Sequence, residues 1–149
     1  ISPRPPDGAD ILQKRLFDDR YRVFYDPALR EPPRTRADYL DAQHITVVYE
    51  PRRALDLDRH LAAQGVQRRF AVMVPGFAGL PPFIRGSDLL ATVPGRLQSH
   101  LLRDLASVEP PVPCPPMPMY MVWHARHQVD AAHRWLRGEL EAVVGDVVT

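Results

Sequence analysis

The chain has 149 residues, 45% apolar and 25% charged, enough for one core of ordinary size and too apolar for a disordered segment. A formal net charge of +1 leaves no strong field to recruit nucleic acid, acidic substrates or a membrane surface. The single cysteine, Cys114, excludes an internal disulfide framework and suits a reducing compartment such as the cytoplasm, and no apolar run reaches the roughly 18 residues needed to cross a bilayer.

The opening ISPRPPDGAD has neither the charged start nor the apolar middle of a signal peptide and reads as loop. RYRVFYDP (Arg20 to Pro27) alternates polar with apolar and ends at proline, which predicts a strand. After the Pro/Arg loop ALREPPRTR, ADYL predicts a short helix, and HITVVYE (His44 to Glu50) has the β-branched, near-continuous apolar character of a buried parallel strand. ALDLDRHLAAQG puts Leu57, Leu61 and Ala62 on one helical face and stops at Gly65. RRFAVMV is a further strand closed by Pro75-Gly76, and FAGLPPFIRG reads as one or two helical turns ending at Gly86. DLLATV repeats the strand pattern, and GRLQSHLLRDL predicts a helix with Leu97, Leu101, Leu102 and Leu105 facing inward.

The proline cluster EPPVPCPPMP (Glu109 to Pro118) removes backbone donors and predicts an extended surface linker. Beyond it, MYMVW predicts a strand, and Asp130 caps a helix whose apolar stripe is Ala132, Trp135, Leu136, Leu140, Val143 and Val144. Trp123 and Trp135 are expected in the core. Repeated strand-helix units imply an α/β fold with a largely parallel sheet.

Chemistry-bearing patterns are sparse. His124, His127 and His133 straddle a strand end, a loop and a helix, with no cysteine or carboxylate set to complete a zinc site. None of the serines sits in a G-x-S-x-G elbow, and Cys114 lies among prolines with no patterned histidine partner. There is no G-x-G-x-x-G after a strand and no Walker lysine. No catalytic residue, metal site or cofactor is therefore expected. The remaining candidate is a binding site at VMVPGFAGLPPF, where a strand ends at Val74 and Pro75-Gly76 turns into a helix. Backbone N–H groups there would point beyond the carboxyl end of a parallel sheet. His44, at the start of a neighbouring strand, is a candidate to face the same crevice or to pack within the sheet.

The succession LFDDRYRVFYDP, HITVV, VPGFAGLPPFIRGSDLLATVPGRL and MVWHARHQVDAAHRWLRGEL resembles the effector-binding domain of LysR-type transcriptional regulators, the branch of nodulation and aromatic-catabolism regulators in particular. The resemblance runs from about Ile11 to Val143, and the joint occurrence of GSDLLATVP, MVWH and AHRWLR makes it specific. It implies a Rossmann-like, periplasmic-binding-protein-like (type 2) fold of two subdomains joined by crossing strands, with a small-molecule effector between them. LFDDRYRVFYDP resembles the outward crossing and MYMVWHAR the return. Residues 1–24 are then a remnant of the first subdomain with the outward hinge strand, 25–120 the second subdomain, and 121–149 the return strand and C-terminal helix of the first.

The DNA-reading helix-turn-helix, the linker helix and most of the first subdomain are expected to precede residue 1. The family's pattern assigns Pro75, Gly76 and Phe77 to the effector-site wall and His44 to an effector contact, for an aromatic or carboxylate compound. Related aromatic-sensing regulators resemble VPHF where this chain has Val74-Pro75-Gly76-Phe77, so the missing histidine argues against an aromatic carboxylate or enlarges the site. The resemblance implies a non-enzymatic, cytoplasmic, homo-oligomeric sensor that meets DNA only through the helix-turn-helix. Its rivals are a small α/β enzyme using His44, which lacks a nucleophile, and a solute-binding module, which lacks an export signal.

Overall fold

The β-branched and apolar runs form strands, and the Pro- and Gly-punctuated stretches between them form turns and short helices. A computed structural model describes residues 1–48 and 56–148. In chain order the elements are β1 (Ile11–Asp19), β2 (Tyr21–Tyr25), α1 (Arg36–Asp41), β3 (Gln43–Val47), α2 (Asp56–Ala62), β4 (Arg69–Val74) and α3 (Pro81–Ile84). There follow β5 (Leu90–Pro94), β6 (Ala106–Val108), β7 (Met117–His124) and α4 (Ala131–Val148), with 3-10 turns at Phe77–Gly79, Gly95–Ser99 and Ala125–His127. Tyr49 and Glu50 of the predicted strand, and Ala54 and Leu55 of the predicted helix after it, lie outside the described residues.

The chain divides into two units, residues 20–115 and residues 1–19 with 116–149. The sequence placed these divisions five residues later, at 24/25 and 120/121. The larger unit holds a five-stranded sheet in the order β4-β3-β5-β2-β6. β3 runs parallel to β4 and β5, whereas β2 is antiparallel to both β5 and β6. The expected largely parallel sheet is thus corrected to a mixed one. An alternating run such as RYRVFYDP signals a strand but carries no information on its direction, and the three-residue β6 is too short to announce itself.

Strand alternation sorts the core onto two faces. Phe24, Ile45, Val47, Ala91 and Val93 pack with Leu80, Ile84, Leu102 and Leu105. Val23, Tyr25 and Leu90 pack with Tyr39 of α1 and Leu57 and Leu61 of α2. His44, Thr46 and Thr92 fall by alternation on this second face, and all are buried. The short α1 is fixed by a capping box: Asp38 N–H donates to Thr35 Oγ1 (3.1 Å), and Thr35 N–H donates to the Asp38 carboxylate (2.8 Å). Gly65, at φ 70°, closes the turn after α2 in the left-handed conformation that glycine tolerates best.

Two further expectations are corrected. GRLQSHLLRDL forms a 3-10 turn over Gly95–Ser99 and then irregular turns, not a helix. Gly95 N–H is committed to Arg20 O (2.8 Å), and the Gln98 amide donates to the carbonyls of Leu102 (3.4 Å) and Leu105 (2.8 Å). Leu102 and Leu105 are buried nonetheless, with Leu97 and Leu101 packed against the same cluster, so the leucines reach the core without helical spacing. The proline cluster is not wholly surface linker: Val112 and Met117 are buried, and β7 begins at Met117.

In the smaller unit β1 pairs antiparallel with β7, from Ile11 opposite His124 to Asp19 opposite Met117. Helix α4 packs against β1, with Lys14 Nζ 2.8 Å from the Glu141 carboxylate. Asp130 caps this helix, accepting His133 N–H at 2.9 Å. Its half-buried face is His133, Arg137, Leu140, Glu141 and Val144. Trp135 (66% exposed) instead faces solvent, which corrects its expected place in the core, and Leu136 (49%) and Val143 (60%) of the predicted apolar stripe are exposed with it. The inward face is chosen by its partners: Arg137 lies over the Trp123 ring at 4.8 Å, and His133 stacks on His127.

Candidate functional site

His44 is the second residue of β3 and is fully buried, with its ring edge-on to Tyr39 at 4.6 Å. Its Nε2 lies 2.7 Å from the Tyr39 carbonyl oxygen, which can only accept, so the proton sits on Nε2. Nδ1 is left as a lone pair with no partner among the described residues. Burial pulls the imidazole pKa down to about 4, the Arg68 and Arg30 charges push the same way, and the Tyr39 carbonyl opposes them. His44 is therefore neutral at physiological pH and is not a cationic partner for a carboxylate. Around it, Tyr39 Oη and Thr92 Oγ1 are 2.7 Å apart, and Arg68 pairs with Asp58. Burial also raises the Cys114 thiol to about 11, so it is no ready nucleophile.

Pro75, Gly76 and Phe77 lie elsewhere. β3 and β4 are parallel, with His44 opposite Phe70 and Val47 opposite Val74. His44 therefore stands at the amino end of the sheet, and the turn after Val74 stands at the carboxyl end, roughly 13 Å further along at 3.3 Å per residue. The expectation that His44 and this turn border one crevice is corrected by that register. A residue opening one strand and a turn closing its parallel neighbour belong to opposite edges.

The carboxyl edge carries the other three candidates together. Val48 N–H extends the ladder to Val74 O (2.9 Å), and the chain then turns, with Gly79 N–H donating to Gly76 O (3.1 Å) and Leu80 N–H to Phe77 O (3.0 Å). Gly79 is confined, since a Cβ there would lie 3.1 Å from Val74 Cβ. Gly76 is the reverse case: its backbone is extended (φ −171°, ψ 165°), and among the described residues beyond its chain neighbours a Cβ would meet nothing within 4 Å and no side chain caps the turn it opens. Phe77 is half-buried against the core cluster of Phe24, Ile45 and Val93. By the register of β3 with β5 and of β5 with β2, Pro94, Gly95 and Tyr21 share this edge. The sequence reading missed them because Pro94-Gly95 looked like a helix start.

His127 stacks on His133, yet no group of three or more His, Cys, Asp or Glu among the described residues could hold a metal ion. Among the described residues no helix is long and apolar enough to cross a membrane. What the described part of the carboxyl edge offers is a turn with room for a side chain at Gly76 and a half-buried aromatic ring at Phe77, an arrangement that suits binding.

The model of the LysR substrate binding domain matches residues 1–145. The chain belongs to the LysR substrate-binding domain family. It is 32% identical over 128 residues to nodulation protein D 1 of Bradyrhizobium japonicum, covering 83% of this chain and 40% of that protein. It is 31% identical over 132 residues to the HTH-type transcriptional activator NahR of Pseudomonas putida, covering 85% of this chain and 44% of NahR. The chain thus spans under half the length of these relatives. Among solved structures it is similar to the regulatory domain of MexT, a transcriptional activator in Pseudomonas aeruginosa, with a TM-score of 0.75 and 25% identity over 90% of this chain and 68% of that one. The fold is also that of CrgA, a LysR-type regulator from Neisseria meningitidis, with a TM-score of 0.74 at 17% identity over 96% of this chain and 51% of CrgA. The LysR substrate-binding domain is a regulatory fold of the type 2 periplasmic-binding-protein kind, and it is not an enzyme.

Proposed function

We propose that this LysR substrate-binding domain is the effector-sensing module of a bacterial transcription regulator, and that Pro75, Gly76 and Phe77 line its effector site. The observation that carries the reading is the turn at the carboxyl edge of the sheet, where a side chain at Gly76 would meet no described residue beyond its chain neighbours and the half-buried Phe77 follows directly. Open α/β sheets hold ligands beyond the carboxyl ends of their strands. A small aromatic or carboxylate compound fits the chemistry of that edge, with the ring for stacking and the turn's backbone N–H groups for polar contact. His44, sealed at the other edge, is left out of the site. The regulator works in the cytoplasm as a homo-oligomer, its effector shifting the balance between arrangements of its parts, and it meets DNA through a helix-turn-helix outside this chain.

Screening aromatic acids and related small compounds by calorimetry identifies the effector, and two variants then test the site. Gly76→His meets extended backbone and empty space, so it should change unfolding free energy by no more than about 0.5 kcal/mol. It should nevertheless change effector affinity at least tenfold, and Phe77→Ala should weaken binding as well. An effector whose affinity ignores both substitutions does not bind here. DNA gives a second check on the same reading: with a net charge of +1 the chain has little to neutralise phosphates. A gel shift at physiological salt should show no sequence-selective submicromolar complex.

A further inference from the structure

We propose that the turn joining β7 to α4 is a proton-operated latch, closed by the neutral imidazole of His127 and released when that ring takes up a proton. Two hydrogen bonds carry this. Arg126 N–H donates to His124 Nδ1 at 3.1 Å, and Arg126 Nε–H donates to His127 Nε2 at 3.0 Å. A backbone amide and a guanidinium can only donate, so each imidazole nitrogen must be a bare lone pair. The bonds thereby select one neutral form of each ring, with His124 carrying its proton on Nε2 and His127 on Nδ1.

The same turn ties two elements together. On the strand side, Trp123 Nε1–H donates to Gln128 Oε1 at 2.7 Å. On the helix side, the Arg137 guanidinium donates to the carbonyls of His127 (3.2 Å) and Gln128 (2.9 Å) and lies over the Trp123 ring. His127 stacks on His133 with ring centroids 4.1 Å apart and planes 17° apart. Releasing His127 therefore loosens both the end of β7 and the first turn of α4.

Charge makes the response one-directional. The groups facing His127 are Arg126 within the turn, His124 from β7, and Asp130 and His133 from the start of α4. Arg137 reaches its carbonyl from further along the helix, and the segment before β1 contributes Asp10, whose carbonyl accepts Ala125 N–H at 2.7 Å. Desolvation, His133, Arg126 and His124 hold the His127 pKa below its ordinary 6.5 against the opposing pull of Asp130. Folding thus favours the neutral ring, and the unfolded or released turn binds the proton more tightly. The latch is closed above pH 6.5 and weakens as pH falls below that value. Once protonated, His127 Nε2 becomes a donor facing a donor, beside a guanidinium that cannot give up its charge.

Nitrogen NMR of the imidazoles in the whole chain, from pH 7.5 to 5, tests the latch alongside Trp123 fluorescence in a Trp135→Phe background. At pH 7.5 His124 should be the Nε2–H form and His127 the Nδ1–H form. His127 should titrate below 6.5, with the amides of residues 125–134 and the Trp123 emission moving at the same midpoint. In His127→Gln an amide oxygen replaces the lone pair and does not titrate, so the Trp123 response should shrink by more than half while the β1–β7 amide signals stay in place. His127→Ala should show the low-pH emission already at pH 7.5. The opposite ring forms, a His127 midpoint at or above 6.5, or a Trp123 response unchanged in His127→Gln would each overturn the proposal. It stands independently of the effector reading, which concerns the other unit.

Discussion

Replacing His44 with phenylalanine is expected to invert the order of stability between pH 7 and pH 4. At pH 7 the parent should be the more stable by about 1–2 kcal/mol, because the variant strands the Tyr39 carbonyl that His44 Nε2–H satisfies, a loss partly offset by removing the unpartnered Nδ1. Acidification reverses this. The folded-state pKa of about 4 lies below the ordinary 6.5, so between those values the unfolded chain binds the proton and the folded chain does not. The His44 contribution is complete above pH 6.5 and is lost as pH falls toward 4. A depression of that size, at about 1.4 kcal/mol per pH unit, removes about 3 kcal/mol by pH 4. The variant has no such proton to take up and should be the more stable of the two there by about 1–2 kcal/mol. Urea unfolding at pH 7, 5.5 and 4 measures both curves. Parallel curves for parent and variant would show that the buried ring is not held neutral.

What the sequence made legible was whatever local chemistry decides. HITVV became β3 because a β-branched run suits a pleated, covered surface, FAVMV became β4 with alternate residues covered, and Gly65 stopped α2 through its own backbone freedom. The Pro75-Gly76 turn was legible for the same reason. Direction, phase and register were less so. Nothing in RYRVFYDP says that β2 runs against β5, and nothing in the leucine spacing after Gly95 says that the backbone will be held by Arg20 and Gln98. In α4 the periodicity found apolar residues but not the face that turns inward, which Lys14, Trp123 and His127 settled from outside the helix. His44 shows the limit best. A histidine opening a strand leaves a crevice contact and a packed residue both open, and the parallel register and the ring of Tyr39 decide for the core.

The ion pair beneath His44 should be strongly asymmetric to mutation. Arg68, entering β4, has a side chain only 1% exposed, and its Nε and Nη2 both donate to Asp58 Oδ1 in α2, at 2.9 and 2.6 Å. The guanidinium lies over the Phe70 ring at 4.9 Å, and its Nη1 has no partner among the described residues. Asp58 is 18% exposed and keeps some access to water. Asp58→Ala therefore leaves an arginine that cannot lose its charge in a dry site, a change that costs about 3–5 kcal/mol when a buried pair loses one partner. Arg68→Met removes the charge and the unpartnered Nη1, keeps most of the packing volume and leaves a carboxylate that water can reach, so about 1 kcal/mol is expected. The double variant Asp58→Ala/Arg68→Met should then be more stable than Asp58→Ala alone by at least about 2 kcal/mol, although it carries one more substitution. Salt should scarcely alter these differences, in contrast to the exposed Arg85–Asp104 pair, because screening ions do not reach a covered guanidinium. Chemical denaturation of the four chains at low and high salt reads all of these values. If Asp58→Ala cost less than about 1 kcal/mol, or if adding Arg68→Met brought no recovery, the arginine would have to be finding water that its burial denies it.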